Sequence, residues 1–425
     1  MSARRIRLSA SDIFHRSLDR QIRRDGGPGN LGQLHVRGDR AVEIVALRAA
    51  WQAAVAEAPI LAARIVGGLR GPHWQVPARA EIEVQIVSAP LAELAQRELR
   101  AGSSGLIRLA VSTHERSPGV VLTWNHQLCD ARGAQGLLAA LPRLALGGRL
   151  GESWSEPAYR HDLELPRTVA ARGRMAQAAM RLLRPLGRHA PLRPGGRTRN
   201  AAAPVRVHHQ VIEPAITARI DARAQAAVGR FGETPFLLAA VAGALTSGGD
   251  SGDLLFPLAV DLRRPGETHL FANRHGFLML PLSGALARQD LAAAARAMKA
   301  AHRTWLAADG ITKLLAAISW FPYAGEWFTR YQLGGGRAGL AASCLVANTG
   351  KTLLSGSWFG AEVLGLDHVA VPPGQPGVAV LFHRDGRGLC LDVVVTGALG
   401  RRLPPARLAE SVVQQLVERP FEGAP

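Results

Sequence analysis

The chain has 425 residues, and its 51 Lys and Arg outnumber its 33 Asp and Glu, which gives a formal net charge of +18. Hydrophobic residues make up 47% of the sequence, so intrinsic disorder is excluded as the state of the whole chain. The length allows two or three domains, or two large lobes that share one site. No apolar run approaches the roughly 20 residues that a membrane-spanning helix needs.

The first part of the chain alternates between strand-like and helix-like patterns. Short aliphatic runs, separated by Gly and Pro, predict strands at residues 34–36, 61–66, 74–76, 82–87, 107–112 and 120–124. Apolar residues at helical spacing predict helices at residues 41–58, 91–100 and 133–146. This alternation is typical of an α/β lobe.

The pattern breaks at about residue 152. Six prolines and a Gly-Gly pair between residues 152 and 204 indicate a connector. Within it, a helical projection places Arg174, Arg181, Arg184 and Arg188 on one face and apolar residues on another.

Arginine is concentrated in this connector. Nine arginines and no Asp or Glu lie between residues 167 and 200, so this segment carries half of the net charge. Two interpretations remain open: a positive surface that attracts an acidic carrier protein or an anionic membrane, or a solvated linker in an arginine-rich chain. Nucleic-acid binding is not expected, because no aromatic residues alternate with the arginines.

The alternation of strands and helices resumes after residue 204. Strands are predicted at residues 205–212, 254–260, 276–282, 344–347, 377–383 and 389–395. Helices are predicted at residues 215–229, 235–245, 290–305 and 403–417, with a mixed aromatic segment at residues 311–331. We therefore predict an α/β protein with two lobes, residues 1–165 and 205–425, joined by a connector at residues 166–204.

Cysteine usage and the N-terminus indicate the compartment. Cys129, Cys344 and Cys390 are too few and too scattered for a disulfide framework or a zinc site, which fits a reducing environment. Residues 1–7 are positively charged but no apolar segment follows them, so we expect no secretion signal. We predict a cytoplasmic protein, and the arginine-rich connector leaves peripheral membrane contact open. No metal-ligand spacing, P-loop or Rossmann glycine set occurs, so no metal is expected.

The segment with the clearest chemical pattern runs from Val120 to Gly133. A hydrophobic strand ends in Asn125 and His126, Asp130 follows four residues after the histidine, and a helix begins near Gly133. A strand end gives a histidine a rigid, partly desolvated position, which suits a general base. Because a neutral imidazole with a pKa near 6.5 can remove the proton of an alcohol or amine at neutral pH, His126 is the candidate base.

The same spacing occurs a second time, at His15 and Asp19. His-x-x-x-Asp alone is weak evidence in a chain with 14 histidines. This copy lies in a polar segment that is predicted to be helical, where residues four apart share one face. We interpret it as a solvent-exposed helix pair and expect substitution of His15 to have little effect.

The residues Asn125-His126-x-x-x-Asp130-Ala-x-Gly133 resemble the His-His-x-x-x-Asp-Gly motif of the chloramphenicol acetyltransferase-like superfamily. That superfamily includes condensation domains of nonribosomal peptide synthetases, plant BAHD acyltransferases and wax ester synthases. Residues elsewhere resemble further family segments: an early helix at 44–64, a second-lobe Asn-Leu-Arg-Pro strand at 260–265 followed by Asn273, and a Ser-Asn-x-Gly strand at 347–350 with the segment at 358–361. The resemblance covers nearly the whole chain.

Two residues depart from the family motif. Asn125 replaces the first His, which is not the base in the family, so the predicted chemistry is unchanged. Ala131 replaces the Gly that follows the Asp, which affects the turn of the loop.

The resemblance implies a fold and an activity. The fold would be two chloramphenicol acetyltransferase-like lobes, each an α/β sandwich, with the active site in the tunnel between them. The activity would be transfer of an acyl group from a thioester, either acyl-CoA or a phosphopantetheine-bound acyl group on an acyl carrier protein, to a hydroxyl or amine acceptor. The thioester would be a co-substrate, and no further cofactor is expected.

The resemblance also assigns roles to residues. His126 would be the base, and Asp130 would hold the loop by pairing with Arg263 from the second lobe. Candidates for substrate or tunnel positions are Asn348, Gly133 and Trp124, although Asn348 can equally be a turn residue. Cys129 lies in the same loop, but no His or acid is spaced to activate it, so we expect a packing role.

A non-catalytic condensation-like module that recruits a partner is the alternative function. An intact arrangement of His126, Asp130 and Arg263 at an open tunnel favours the enzyme, and a filled tunnel favours the module.

Overall fold

The computed structural model describes residues 4–67, 72–101, 105–150, 165–166, 168–186, 191–194, 204–248, 252–264, 271–320, 342–397 and 399–418. The strands are β1 (Arg4–Arg7), β2 (Leu31–Gly38), β3 (Arg64–Val66), β4 (His73–Val76), β5 (Val84–Val87), β6 (Ile107–Ser112), β7 (Gly119–Asn125), β8 (Arg206–Ile212), β9 (Leu254–Asp261), β10 (His275–Leu282), β11 (Leu345–Lys351), β12 (Ser357–Trp358), β13 (Ala361–Ala370), β14 (Val378–Asp385) and β15 (Gly388–Val395). The helices are α1 (Ala10–Arg24), α2 (Ile44–Glu57), α3 (Leu91–Arg100), α4 (Ala131–Ala145), α5 (Val169–Leu183), α6 (Pro214–Val228), α7 (Glu233–Thr246), α8 (Gly284–Gln289), α9 (Leu291–Ala307), α10 (Gly310–Ile318), α11 (Leu399–Arg402) and α12 (Pro405–Val417), with a 3₁₀ helix at Pro59–Ala62.

The first lobe is built on a six-stranded sheet of order β12-β13-β2-β7-β6-β5. β6 and β7 are buried along their whole length, because the apolar side chains of both faces are covered. On one face, residues of α2 and α4, including Trp51 and Leu137, belong to the main core of this lobe. On the other face, Leu94 of α3 packs against Ala110 and Val121 of the sheet. A small sheet of order β1-β4-β3 completes the lobe.

The second lobe is built on a six-stranded sheet of order β10-β9-β11-β14-β15-β8. In this sheet β11 runs parallel to both β9 and β14, and the other neighbours are antiparallel. α7 is buried from Pro235 to Thr246, packs against α9 and α12, and lies in the largest apolar cluster of the protein's described part. Its apolar residues occur all round the helix, which is the pattern of a fully buried helix.

One long strand of the second half of the sequence belongs to the first sheet. β13 pairs antiparallel with β2, so that Leu366 lies opposite Val36 and His368 opposite Leu34, although β11 and β14 on either side of it are in the second sheet. The predicted range 205–425 for the second lobe therefore needs a correction at residues 357–370. Backbone hydrogen bonds place this segment with the first lobe, and no local sequence pattern reports such a long-range pairing.

The two lobes share an apolar core of their own. Ile22 of α1, Leu31 of β2 and Val369 of β13 cluster with Leu381 of β14 and Val394 of β15. This packing fixes the relative position of the two sheets, and the residues described in the next subsection lie beside it.

The predicted fold class and the two-lobe arrangement are confirmed. Most predicted helices are found within one to three residues, and α3 is found at residues 91–100 as predicted. Inside the predicted connector, α5 forms and packs against α10, while residues 187–190 and 195–203 of the connector lie outside the described residues. Among the helices that the structure describes, none combines the length and apolar character needed to cross a bilayer.

Candidate active site

The motif loop runs from the end of β7 to the start of α4. Asp130 is the N-cap of α4, with extended backbone dihedral angles, and its Oδ1 accepts a hydrogen bond of 2.8 Å from the backbone N–H of Gly133. A short polar side chain at this position satisfies a helix N–H that has no partner within the helix. Ala131 is therefore simply the first residue of a regular helix, which explains why this loop forms without the family's glycine.

Asp130 also joins the two lobes. Nη2 and Nη1 of Arg263 lie 2.9 and 3.0 Å from its two carboxylate oxygens, and the backbone N–H of Arg274 donates to Oδ2 at 2.8 Å. Burial raises the pKa of Asp130 more than any single neighbour lowers it, but Arg263 and His275 together outweigh burial and hold that pKa below its usual range. The structure thus brings Asp130 and Arg263 together as a bidentate buried ion pair.

Hydrogen bonds to the backbone of His126 fix its position, and its ring borders the cavity. Its N–H donates to the carbonyl of Asn30 at 2.9 Å, and its carbonyl accepts from Nδ2 of Asn273 at 2.5 Å. Nδ1 of the ring is buried and has no hydrogen-bond partner among the described residues, which leaves Nε2 as the nitrogen that faces the cavity. Burial, followed by the nearby His275 and His368, lowers the pKa of His126 to about 3, so the imidazole is neutral at pH 7.

Trp124 and Gly133 support the loop. The indole Nε1 of Trp124 donates to the carbonyl of Cys129 at 3.1 Å, and its ring centroid lies 5.5 Å from that of His126. Trp124 is fully buried, and Gly133 contributes the backbone N–H that Asp130 caps. Neither residue is among the described residues that line the cavity, so both have a supporting position in place of the predicted tunnel position. Cys129 is buried beneath the loop, as expected for a packing residue.

The interpretation of His15 and Asp19 as a solvent-exposed pair is wrong. His15 is only 4% exposed and Asp19 only 6%. The ring of His15 lies nearly parallel to that of His126, with 5.5 Å between centroids, and its Nε2 is 3.2 Å from Nε2 of His275. This face of α1 is turned toward the lobe junction, and its residues Asp12, His15, Asp19 and Ile22, all buried, recur at the spacing of one helical face.

Asp19 connects the two His-x-x-x-Asp segments. Its Oδ1 accepts 2.8 Å hydrogen bonds from the backbone N–H of Asn30 and from Nδ2 of Asn125, and Arg23 pairs with Oδ2. Asn125 is the residue that replaces the family's first histidine, and its Oδ1 also accepts from the N–H of Gln127. An amide that both donates and accepts can join α1 to the motif loop, which gives this departure a structural role.

These groups line a cavity of about 620 Å³ at the junction of the lobes. At one end are His15, His126, Asp130, Arg263 and His275. Most of the remaining wall is apolar and comes from α5, α10, β9, β11 and β14. A cavity of this size with a few convergent polar groups is typical of a site for a small molecule.

Asn348 lies on the cavity wall, as predicted, and is also part of a turn. Its Oδ1 accepts from the N–H of Gly350, and its Nδ2 donates 3.1 Å to the hydroxyl of Thr234. Both interpretations of this residue therefore apply to the same side chain. Its amide is committed to protein partners, so it shapes the wall of the cavity.

Two clusters of potential metal ligands occur among the residues that the structure describes, and both lie away from the cavity end that holds His126. One contains His35, His209 and Asp367, and the other contains His383, Asp385 and Cys390. The carboxylates of Asp367 and Asp385 are already paired with guanidinium groups, at 2.5 and 2.6 Å. A cation would have to displace these arginines, so we interpret both clusters as ion-pair networks that hold β13 against the second sheet.

No protein-family model matches the sequence, and no curated protein matches it significantly. Solved structures do match. The first condensation domain of the calcium-dependent antibiotic synthetase superposes with a TM-score of 0.70 at 17% identity, covering 100% of this chain and 98% of that chain. This chain has the condensation-domain fold.

Two further structures show how widely this fold is used. Trichothecene 15-O-acetyltransferase from Fusarium sporotrichioides has a TM-score of 0.68 at 12% identity, over 97% of this chain and 95% of its own. Polyketide synthase associated protein 5 from Mycobacterium tuberculosis has a TM-score of 0.64 at 15% identity, over 98% of both chains. The predicted fold is confirmed, and at these identities the likeness concerns the fold alone.

Sequence reasoning missed three residues of the site. His15 was assigned to the surface, and Asn30 and His275 were not singled out. The sequence does contain a pattern that indicates the burial of His15. In a helical projection, residues 8, 12, 15, 19 and 22 lie on one face, and the arginines lie next to that face. Asn30 and His275 had no such pattern, because each precedes or begins a strand and gains its role only from contacts across the fold.

Proposed function

We propose that this protein is an acyltransferase of the condensation type. It transfers an acyl group from a thioester donor to a hydroxyl or amine acceptor, with His126 as the general base. The observation that carries this proposal is the neutral imidazole of His126, open at Nε2 to a cavity between two lobes and set on a loop that a buried ion pair fixes.

The chemistry requires one proton acceptor in a fixed place. Nε2 of His126 accepts the proton of the attacking O–H or N–H while that oxygen or nitrogen bonds to the thioester carbonyl carbon. When the C–S bond breaks, the imidazolium returns the proton to the leaving thiolate, which gives an ester or amide and a free thiol. A base with a pKa of about 3 is weak, but the acidity of the nucleophile rises sharply as its new bond to carbon forms.

Asp130 and Arg263 act on the loop rather than on the proton. Both carboxylate oxygens of Asp130 already accept hydrogen bonds from Arg263 and backbone N–H groups, so we assign this side chain no part in the proton transfer. Its contribution is to hold the first residues of α4, and with them the backbone of His126, against the second lobe.

α5 offers a route by which an anionic donor reaches the cavity. Ala176 and Met180 of this helix line the cavity, while Arg174, Arg181 and Arg184 are exposed to solvent. A positive face beside the cavity attracts the phosphates of acyl-CoA or the acidic surface of an acyl carrier protein. We therefore propose that the arginine-rich connector takes part in donor docking.

The alternative of a non-catalytic module predicts a broken base arrangement or a filled tunnel. The described residues show His126, Asp130 and Arg263 in one intact arrangement beside an open cavity. These features support the enzyme over the module.

The test is product detection by mass spectrometry. The purified protein is incubated with a panel of acyl-CoA and acyl carrier protein thioesters, of short to long chain, and with pooled alcohols and amines. The proposal predicts a new ester or amide with one donor class, released together with one equivalent of free thiol, and loss of that product with His126→Gln. Thiol release without an acylated product, or product formation that the variant retains, would reject it.

A further inference from the structure

Three imidazole rings converge at the lobe junction from distant parts of the sequence. His15 belongs to α1, His126 follows β7, and His275 is the first residue of β10. His15 contacts both of the others: its ring centroid is 5.5 Å from that of His126, at an interplanar angle of 19°, and its Nε2 is 3.2 Å from Nε2 of His275. His15 is therefore the centre of the cluster.

The hydrogen bonds around His15 have a determined direction. Nδ2 of Asn30 lies 3.0 Å from Nδ1 of His15 and 3.4 Å from the carbonyl oxygen of the same residue. A carbonyl oxygen only accepts, so this Nδ2 is the donating amide and Nδ1 of His15 accepts. A neutral His15 then carries its proton on Nε2 and donates it to Nε2 of His275.

This direction also fixes the tautomer of His275. Because its Nε2 accepts from His15, a neutral His275 carries its proton on Nδ1, which lies 3.7 Å from Oδ2 of Asp130. The chain of hydrogen bonds thus runs from Asn30 through His15 to His275, whose Nδ1 lies near Asp130 without a hydrogen-bond partner among the described residues. It links the two lobes through three side chains.

His126 lacks the hydrogen bond that usually orients a catalytic imidazole. A general base is normally positioned by a third group that accepts from its other ring nitrogen. Nδ1 of His126 has no such partner among the described residues. What contacts the ring instead is the face of His15 and the edge of Trp124, so stacking replaces the missing hydrogen bond.

From this geometry we propose that His15 is a positioning residue of the acyl-transfer site. Its ring orients His126 by stacking, and its Nε2–H holds His275 in the tautomer that faces Asp130. The inference rests on the proposed function of His126, but the arrangement of the three rings can be measured without a substrate.

The charged groups around the cluster are paired with one another. Arg263 pairs with Asp130 and also with Asp261, and the carboxylate of Asp19 pairs with Arg23. A fourth imidazole, His368 of β13, also lines the cavity, and its ring centroid lies 6.0 Å from that of Trp124. Burial, followed by the neighbouring imidazoles, lowers the pKa of His15 well below its usual value, which is consistent with the neutral tautomers above.

Two substitutions separate stacking from hydrogen bonding. His15→Phe keeps an aromatic ring against His126 and removes the donor to His275, whereas His15→Ala removes both. We expect His15→Phe to lower kcat about tenfold, the worth of one hydrogen bond, and His15→Ala to lower it about 10²-fold, as a misplaced catalytic group does. The KM of the donor should change little in either variant. His302→Phe is the matched control, because His302 is partly exposed on α9 and does not line the cavity.

Nitrogen-15 spectra of the histidine rings supply the second readout. In the wild type we expect the proton of His15 on Nε2 and that of His275 on Nδ1, and in His15→Phe we expect the His275 signal to show a mixture of tautomers. These signals are independent of activity, so they stand even if every thioester fails as a donor. The inference is overturned if His275 keeps its tautomer in His15→Phe, or if both variants retain wild-type kcat in an active enzyme.

Discussion

The two His-x-x-x-Asp segments of this chain share a spacing and differ in local structure. His15 and Asp19 lie on one face of α1, whereas His126 and Asp130 belong to a loop between a strand and a helix. Both histidine rings nevertheless reach the same cavity, and both carboxylates hold backbone N–H groups of neighbouring segments. The spacing by itself selects neither a helix nor a loop.

The two segments differ in the groups that their carboxylates contact. Both oxygens of Asp130 bind the guanidinium group of Arg263 in the second lobe, and that pair is almost wholly buried. Asp19 meets Arg23 of its own helix, which is 39% exposed, and two N–H groups of the first lobe. The carboxylate of the loop therefore depends on a contact between lobes, and the carboxylate of the helix depends on contacts within one lobe.

The largest expected effect is on the histidine of the loop. His126→Ala should lower kcat by about 10²–10⁴-fold with the fold retained, because general-base catalysis contributes that much. Steady-state kinetics with the donor found by mass spectrometry, beside circular dichroism, measures both. His302→Ala should leave kcat unchanged. If His15→Ala is more damaging than His126→Ala, the assignment of the base to the loop copy is wrong.

The next effect concerns the carboxylate of the loop. Asp130→Ala and Arg263→Ala should each lower the free energy of unfolding by about 3–5 kcal/mol, because Arg263 is then left with only the partly exposed Asp261, or Asp130 is left without a guanidinium group. The double variant should lose far less than the sum of the two. Urea unfolding of the four proteins gives the coupling energy. Additive losses would mean that the two charges do not interact in solution.

The carboxylate of the helix should matter less. Asp19→Ala leaves two buried N–H donors without an acceptor, at about 1–3 kcal/mol, while the partly exposed Arg23 can be solvated by water. Urea unfolding beside Asp130→Ala compares the two segments directly. An equal loss from both substitutions would contradict the contrast between contacts within one lobe and contacts between lobes.

Both segments should contribute to the acid sensitivity of the fold. The pKa values of His15 and His126 are lowered in the folded state, so the unfolded chain binds protons that the folded chain does not once the pH falls below about 6.5. Their contribution to stability is present above pH 6.5 and is lost as the pH falls below that value, down to about pH 3 for His126, by at most about 1.4 kcal/mol per pH unit for each histidine. His383, whose pKa is raised to about 10, is protonated in the folded state throughout but in the unfolded state only below about pH 6.5, so it opposes this slope just below pH 7 and adds nothing to it at lower pH.

The measurement is urea unfolding at pH 7 and pH 5. Wild type should lose more stability between these values than His15→Phe or His126→Phe, and the two variants should show similar slopes. A wild-type slope in either variant would show that the histidine concerned is not buried as a neutral group.

The smallest effect should come from the surface of α5. Changing Arg174, Arg181 and Arg184 to Gln should raise the KM for an anionic donor a few-fold and flatten its salt dependence, with kcat retained, because exposed charges are screened over about 8 Å at physiological salt. Kinetics at several ionic strengths measures this. The same change at Arg401, Arg402 and Arg407, also exposed but near the C-terminus, is the control. If both sets behave alike, the connector has no docking role.

Much of the fold could be predicted from the sequence because its causes are local. The apolar spacing of residues 91–100 and 405–417 specifies helices, and the continuous apolar runs that became β6 and β7 specify buried central strands. The position of His126 at a strand end was also visible. β13 was not, because its pairing with β2 joins residues more than 300 positions apart in sequence.

By itself the sequence determined the α/β class, the two lobes and the loop that carries His126, since periodicity and strand-end position are short-range properties. Only the tertiary structure decided the composition of the site. His15 and His275 are 260 residues apart in sequence and meet because α1 and β10 pack at the lobe junction. Burial at this junction removes water from both rings. The ring nitrogens therefore form hydrogen bonds with each other and with Asn30, in one direction, beside His126.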